Sequence, residues 1–363
     1  MKSMMILSCI LVLLASSALC FGYINSHTTG SPLPGFSARS TGLGGVRSIG
    51  LGDGSSMLTN PAGLQRTEGT LFSLSIGPGI GSETVMDSLG QHPNNWITFG
   101  NLFASMKFQL DPRFNAGIAF GKVSDFSYIG AHYTYDFQSG NEDYLTEIID
   151  FTVSGGMYES VAGLSFSASD WINLGLSAGL RFGGVSYDST FTDVEAHEND
   201  TLISWKRDFN EFCWHCGIEI PLNNVLIGFS WASEGDSYDA RAAFGGLLYL
   251  DDDNRSAMGG EVEVGDPGGI NSIYARVFGF AFPSNSFELR GSFNFAMPNY
   301  EEVESSMIIG LALGSGIYLG DIILDGGIAW YSSSRDSVFL GTGRPDDISD
   351  SQALISLGIT WKP

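Results

Sequence analysis

The feature that most limits what this chain can fold into is a strict two-residue alternation of apolar and polar side chains. In residues 172–182 the even positions are Ile, Leu, Leu, Ala, Leu and Phe, while the odd positions are Asn, Gly, Ser, Gly and Arg. The same alternation runs through residues 102–110, 286–296 and 353–361. Because successive side chains of a β-strand point to opposite faces, each segment is predicted to be a strand with one apolar and one polar face.

The length and spacing of these strands favour a membrane barrel. Each run has about 9–11 residues, which a tilted strand needs to cross a bilayer. Short connections at 111–113, 169–170, 221–223, 283–285 and 315–316 alternate with long acidic segments near 123–157, 184–204, 233–272 and 332–350. A membrane barrel sorts its turns and loops to opposite ends in this way. The alternative is a soluble β-sandwich with one wet face per sheet, which has no reason to do so.

Counting strands predicts an all-β, transmembrane antiparallel β-barrel of about 14 strands, with 12 as the alternative. A first strand near 70–77, five hairpins and a last strand at 351–361 make twelve. Two further strand-like runs, at 131–138 and 151–158, raise the count to fourteen. We expect the barrel to close, because an open edge in lipid would leave backbone groups unpaired.

The amino terminus has the pattern of a secretory signal peptide. Lys2 precedes an apolar stretch and then small residues, with plausible cleavage after Ala18 or Cys20. We therefore predict a signal peptide at 1–20, a separate segment at 21–69 and a barrel at 70–363. The predicted location is the bacterial outer membrane, with outer-membrane lipid and the barrel assembly machinery as partners.

The charge of the chain excludes several functions. There are 40 acidic and 17 basic residues, a net charge of −23. A nucleic-acid binder needs a basic face, so no nucleic-acid partner is expected. Nor does the sequence contain a phosphate-binding Gly-Lys loop, a serine nucleophile elbow or a zinc-protease motif. We therefore predict no enzyme activity, no cofactor and no metal.

Residues 21–69 are rich in glycine and contain no alternating run of spanning length. Such a chain can lie at membrane depth only if protein surrounds it, and a barrel of 12–14 strands has a lumen too wide for side chains to fill. The segment is predicted to fold into the lumen as a hatch or plug; a free periplasmic leader is the alternative. Small lumen-facing residues would let its backbone approach the wall: Gly117, Gly121, Gly175, Gly179, Gly310 and Gly314.

Residues 38–45 (ARSTGLGG), Asp53 and the run 60–64 (NPAGL) resemble the hatch of the FadL/TodX superfamily of outer-membrane transporters, which includes PorV-like barrels. The resemblance covers about 30 residues, and the rest agrees only in architecture. It implies a 14-stranded barrel that passes hydrophobic molecules inward without energy input. The chain departs from many such barrels in ending on Lys362 and Pro363 rather than on an aromatic residue. The expected hatch residues are Gly42, Gly44, Gly45, Asp53, Asn60, Pro61, Ala62 and Gly63.

Two further groups of residues have more than one interpretation. In Cys213-Trp214-His215-Cys216 the offset of three puts the sulfurs on opposite faces of a strand. Two separate small residues are predicted, with a disulfide or a metal site as alternatives; zinc would need more ligands, and His197 is the nearest further histidine. Aromatic residues at or near strand ends are predicted to anchor the barrel at the membrane interface: Trp171, Trp231, Trp330 and Trp361.

Two functions remain in competition at this level. The first is a passive channel for a hydrophobic small molecule, which predicts a continuous apolar cavity beside Asn60. The second is a PorV-like barrel that transports nothing and binds a secreted protein client through segments 184–204 and 233–272, which predicts a sealed lumen.

Overall fold

The computed structural model describes residues 31–87, 90–137, 143–193, 200–235, 238–251, 253–267, 272–298, 307–338 and 345–363. The predicted signal peptide and residue His197 lie outside these ranges. No helix among the described residues is long and apolar enough to cross a membrane. Helix α1 is Ala38–Thr41, and two 3-10 helices span Gly54–Leu58 and Pro61–Arg66. The strands are β1 (Ser31–Pro32), β2 (Leu71–Asp87), β3 (Gly90–Asp111), β4 (Phe114–Asp125), β5 (Tyr128–Phe137), β6 (Asp143–Ser169), β7 (Ile172–Asp193), β8 (Thr201–Leu222), β9 (Val225–Ala232), β10 (Arg241–Tyr249), β11 (Ser256–Gly265), β12 (Ser272–Ser284), β13 (Phe287–Pro298), β14 (Ile308–Leu319), β15 (Ile322–Val338) and β16 (Pro345–Trp361).

Fourteen of these strands form one closed antiparallel barrel. Strands β2 to β4 and β6 to β16 follow each other around the ring, and pairing of β16 with β2 and of β4 with β6 closes it. Strand β5 pairs only with β6 among the described strands, so it is not one of the strands that close the ring. The two-residue β1 pairs with β4. The predicted count of 14 is confirmed.

The strands that complete this count are not the predicted ones. Segment 123–157 adds β5, which is outside the ring, and the beginning of β6. The missing pair is β10 and β11, inside segment 233–272, which was wrongly predicted to be one outer loop. These two strands have only 9 and 10 residues. They also contain glycine pairs and two inward-facing glutamates, Glu261 and Glu263, so they lack the polar–apolar contrast of the longer strands.

The connections sort to the two ends of the barrel as predicted, but the long segments predicted at 184–204 and 332–350 are mostly strand, because β7 runs to Asp193 and β15 to Val338. One end, called the turn end, carries tight turns and the connection at 250–255; the other is called the loop end. The turn predicted at 315–316 is wrong, because both residues lie inside β14. The chain reverses instead at Gly320, whose φ of 63° is a left-handed conformation that suits glycine. The tight turns are Pro112-Arg113, Asp170-Trp171, Asn223-Asn224, Asn285-Ser286 and Gly320-Asp321.

The outer surface of the barrel is apolar and its inner face is polar. On β7 the side chains of Leu174, Leu176 and Leu180 are 40–56% exposed, whereas Ser177 and Arg181 on the opposite face are buried. This pattern is the reverse of that in a soluble sandwich, which buries its apolar face. A belt of exposed leucine, isoleucine and phenylalanine around a closed barrel is the surface that lipid covers. The fold is therefore a transmembrane barrel.

The segment before β2 fills the lumen, so the leader alternative is excluded for its described part. Almost every residue from Leu33 to Leu64 is buried. Its apolar side chains pack against inward-facing aromatic residues of the wall in a cluster that we call the aromatic core. The main members of the aromatic core are Phe36, Met57, Leu58 and Leu64 of the hatch and Trp96, Phe103, Phe126, Tyr128, Phe151, Tyr187 and Phe209 of the wall.

Candidate functional site

Asn60 fastens the hatch to the wall. It is fully buried and caps the second 3-10 helix, where its Oδ1 accepts from the Ala62 N–H at 3.1 Å. Its Nδ2 lies 2.5 Å from the Ser48 carbonyl oxygen and 3.3 and 3.2 Å from the carbonyls of Ile218 and Phe229. Pro61 follows at the first helical position, where its missing N–H costs nothing. One amide therefore joins two parts of the hatch to strands β8 and β9.

Asp53 organises the first 3-10 helix in the same way. Its Oδ1 accepts from the Ser55 N–H at 3.0 Å, and its Oδ2 accepts from the Ser37 hydroxyl at 3.1 Å. Ser37 in turn caps helix α1 through the Ser40 N–H. The short hatch helices are thus connected through side-chain caps, which replace the long hydrophobic interfaces that such short helices cannot make.

The predicted hatch glycines are sites of close backbone approach. Gly63 packs directly on Gly50, where a Cβ would lie 2.3 Å from the Gly50 Cα. Gly44 and Gly45 have φ values of 69° and 77°, a conformation that is costly for other residues. Together they turn the chain after α1. The Gly44 carbonyl accepts from the guanidinium of Arg276 at 3.1 Å.

The six predicted wall glycines all lie on the inner face, and four of them touch the hatch. A Cβ on Gly314 would lie 2.8 Å from the Gly42 Cα, and one on Gly175 would lie 2.2 Å from the Ala62 nitrogen. Gly117 and Gly121 face Met57 and Leu58. The remaining two, Gly179 and Gly310, lie against wall groups instead: the Ser160 carbonyl and the Tyr331 ring.

A charged network that the sequence patterns did not predict holds the hatch. Glu263 of β11 is fully buried and lies 3.2 Å from Arg47 of the hatch, 2.8 Å from Arg241 and 2.6 Å from Arg276. The neighbouring Glu261 accepts from the Arg47 backbone N–H at 2.8 Å. The missing step was to recognise β11 as a spanning strand, because charged residues at the inward positions of such a strand need partners in the lumen.

A second charged group attaches helix α1. Arg39 lies 3.2 Å from Glu288 of β13, which also binds Arg290 at 2.7 Å. Arg290 in turn lies 2.6 Å from Asp325 of β15. The lumen therefore has two different sides. Ion pairs join the hatch to strands β11 and β13, and the aromatic core fills the side of β3 to β8.

The wall has a break in its backbone pairing on the aromatic side. Strand β3 pairs with β4 only from Phe103 towards the turn end; on this side its residues 90–102 have no strand partner among the described residues. We call this break the wall gap. Side chains close it. The Asn94 amide accepts from the Ala131 N–H at 3.0 Å, Lys122 donates to the Phe99 carbonyl at 2.6 Å, and Thr98 donates to Asp125 at 2.8 Å.

Apolar groups lie on both sides of the wall gap. On the inside, Trp96 and Tyr128 are buried, with their rings edge to face at 5.0 Å. On the outside, Ile97, Phe99 and Ile129 are 77%, 49% and 51% exposed. At the wall gap, the aromatic core is therefore separated from the exposed Ile97, Phe99 and Ile129 by side chains alone, with no paired strands between them.

The two cysteines of β8 are separate residues, as predicted. Cys213 is buried on the inner face, Cys216 is half-buried, and the two are not bonded to each other.

The four tryptophans occupy different kinds of position. Trp171 lies in a turn, and Trp231 lies next to the end of β9. Trp361 ends β16 and stacks on Phe72 at 5.5 Å. Trp330 lies in the middle of β15, which corrects its predicted position near a strand end. The interface role of all four tryptophans stays a prediction.

The fold and the site together define a transmembrane barrel with an internal hatch, and known structures share this architecture. No protein-family model and no curated protein matches the sequence. The Pseudomonas putida toluene transporter TodX is 12% identical with a TM-score of 0.69, covering 93% of this chain and 100% of that chain. A Pseudomonas aeruginosa FadL homologue is 11% identical with a TM-score of 0.68, covering 92% and 99%. The Ralstonia pickettii toluene transporter TbuX is 12% identical with a TM-score of 0.61, covering 91% and 99%. The chain thus has the fold of these transporters, as the hatch motif predicted.

Replacing Asn60 with alanine is expected to loosen the hatch. The variant removes a helix cap and leaves buried carbonyls without a donor, which costs about 1–3 kcal/mol. Hydrogen exchange of residues 48–66 measures the effect, with faster exchange expected in the variant. Asn285→Ala, in an exposed turn, is the matched control and should leave the exchange unchanged. Equal protection in the two variants would contradict the anchoring role.

Proposed function

We propose that this protein is an outer-membrane channel that passes hydrophobic small molecules without energy input, and that they leave the lumen sideways through the wall gap. The observation that carries the proposal is the wall gap itself, with buried aromatic rings on its inner side and exposed apolar residues on its outer side. The shared fold with proteins named as toluene transporters supports the same substrate class.

The distribution of charge in the lumen favours a sideways route. An apolar molecule passing along the barrel axis beside β11 would have to displace buried ion pairs, and uncompensated buried charge is costly. The cavity lined by Arg47, Arg241 and Arg276 measures only about 30 Å³, room for a water molecule or two. Asn60 itself is packed against the wall, so the apolar route we propose lies through the aromatic core and not beside Asn60.

An uptake assay tests this function. Cells that lack their own hydrophobic-solute channel would express the protein and receive radiolabelled toluene or a long-chain fatty acid. We expect faster uptake of one or both than in cells with an empty vector, and no change for a hydrophilic solute of similar size. Unchanged uptake of both apolar probes, with the barrel shown to be in the outer membrane, would contradict the proposal.

One observation favours the second candidate, a barrel that binds a protein partner. Strands β6, β7 and β8 have 27, 22 and 22 residues, about twice the length that a bilayer needs. Their outer parts form a wall beyond the membrane, where Leu202, Ile203 and Trp205 are 68%, 45% and 36% exposed. If the barrel binds a protein partner, deleting its gene would impair secretion of a protein client and leave the uptake of apolar solutes unchanged. This outcome separates the two functions.

A further inference from the structure

Three buried side chains with metal-binding atoms meet on the inner face of the barrel, at the edge of the aromatic core. They are Glu159 of β6 and Cys213 and His215 of β8, all at most 1% exposed. One ligand atom from each residue lies within 4.8 Å of the other two. Strand β7 runs between β6 and β8, and its Gly179 pairs with Cys213. The Glu159 side chain extends across β7 and contacts His215.

The three donor groups suit one class of ion. A thiolate, an imidazole nitrogen and a carboxylate oxygen are the three kinds of ligand that Zn²⁺ accepts in proteins. The Nε2 of His215 lies 2.8 Å from Glu159 Oε2. An ion bound by Nε2 and Oε2 would replace the hydrogen bond between these two atoms.

The surroundings of the trio match those of a metal ligand set. The Nε of Arg181 binds Glu159 Oε1 at 2.8 Å, which leaves Oε2 as the oxygen directed at His215. Arg181 is itself held by Glu211 at 2.7 Å and lies over the Tyr238 ring at 4.1 Å. A ligating carboxylate is normally oriented by such an outer partner.

The local charge also fits a divalent cation. The two carboxylates of Glu159 and Glu211 and the guanidinium of Arg181 sum to one negative charge. Ionisation of the Cys213 thiol adds a second negative charge, so the net charge of the group becomes −2. One divalent cation then neutralises the buried group, which matters because uncompensated buried charge is strongly unfavourable.

We propose that Glu159, Cys213 and His215 bind one Zn²⁺ ion. Cys213 contributes its sulfur and releases the thiol proton to solvent, His215 contributes Nε2, and Glu159 contributes Oε2. The Cys-x-His part is visible in the sequence without a further ligand, and Glu159 supplies that ligand from another strand. Ser177, which pairs with His215, donates to the Met57 carbonyl of the hatch at 2.6 Å. The ion would therefore join β6 to β8 beside a contact between hatch and wall.

Metal titration of the folded, untagged and processed protein tests this site. The protein is first treated with a chelator and then titrated with Co²⁺, followed by competition with Zn²⁺. We expect one equivalent of Co²⁺ with thiolate-to-metal charge-transfer absorption, and its displacement by Zn²⁺. Cys213→Ser should abolish the absorption, and both Cys213→Ser and His215→Gln should weaken binding by more than about 100-fold, since loss of an outer-shell partner alone costs 10–100-fold.

Cys216→Ser is the matched control, because Cys216 lies on the same strand and faces away from the trio. It should bind Co²⁺ as the unchanged protein does. Heat-dependent migration in gels shows that each variant has folded as a barrel. Absence of stoichiometric binding by the unchanged protein would overturn the proposal, and so would charge-transfer absorption that persists in folded Cys213→Ser or disappears in Cys216→Ser. None of these outcomes depends on whether the barrel transports solutes.

Discussion

Replacing Glu263 with glutamine is expected to lower the free energy of unfolding by about 3–5 kcal/mol, the usual cost of removing one partner from a buried ion pair. Glu263 is fully buried and is shared by three arginines, Arg47, Arg241 and Arg276, at 3.2, 2.8 and 2.6 Å. Glutamine has nearly the same size, so the packing survives while the negative charge is lost. The guanidinium groups then stay buried with too little compensating charge.

Urea unfolding of the refolded protein in lipid bilayers measures this effect. Asp208→Asn is the control, because Asp208 pairs with Lys206 at 3.0 Å in a bridge whose side chains are 73% and 67% exposed. Loss of an exposed pair changes stability by about 0–1 kcal/mol. If the two variants were destabilised equally, the lumenal network would not hold the hatch as we describe. A further consequence is faster hydrogen exchange around Arg47, the hatch member of the network.

Cross-linking the wall gap is expected to block uptake of apolar solutes. Asn94→Cys and Ala131→Cys place two thiols on opposite sides of the gap, where the Asn94 amide now contacts the Ala131 backbone. A short cleavable thiol cross-linker would hold the edges together, in a background with Cys213 and Cys216 replaced by serine. If about 90% of molecules are linked, the open fraction and the uptake fall about tenfold. Cleaving the linker should restore uptake.

A second cysteine pair controls for the chemistry. Ser73 and Thr360 lie on the paired strands β2 and β16, with their hydroxyl oxygens 3.0 Å apart. Cross-linking Ser73→Cys to Thr360→Cys joins strands that the backbone ladder already holds, so uptake should not change. Mass spectrometry verifies each link. Uptake that persists through a fully linked Asn94–Ala131 pair would show that solutes leave by another path, such as a displaced hatch.

Local patterns in the chain were enough to predict the class of fold. Alternation in segments such as 172–182 reports which face of a strand meets lipid, because lipid tolerates few polar groups on that face. The same requirement demands a closed sheet, since unpaired backbone groups are costly in hydrocarbon. Glycine-rich residues before β2, with Asn60-Pro61-Ala62, predicted the hatch because that composition cannot span a bilayer and must be enclosed by protein.

Short or charged strands were harder to recognise. Strands β10 and β11 were predicted as loop, because glycines and the acidic Glu261 and Glu263 resemble exposed chain when their partners are unknown. Those partners, Arg47, Arg241 and Arg276, come from the hatch and from two other strands. Nothing in the local sequence around β11 indicates that three guanidinium groups converge on it.

By itself, the sequence determined a closed transmembrane barrel with an enclosed hatch, since period, length and composition are local properties that the membrane acts on directly. Only the tertiary structure decided the wall gap at 90–102, the ion pairs of Glu263 and the meeting of Glu159 with Cys213 and His215. Each of these depends on strand register and on which strands become neighbours. Register is set by the sum of many pairings around the ring, so no single segment of the chain encodes it.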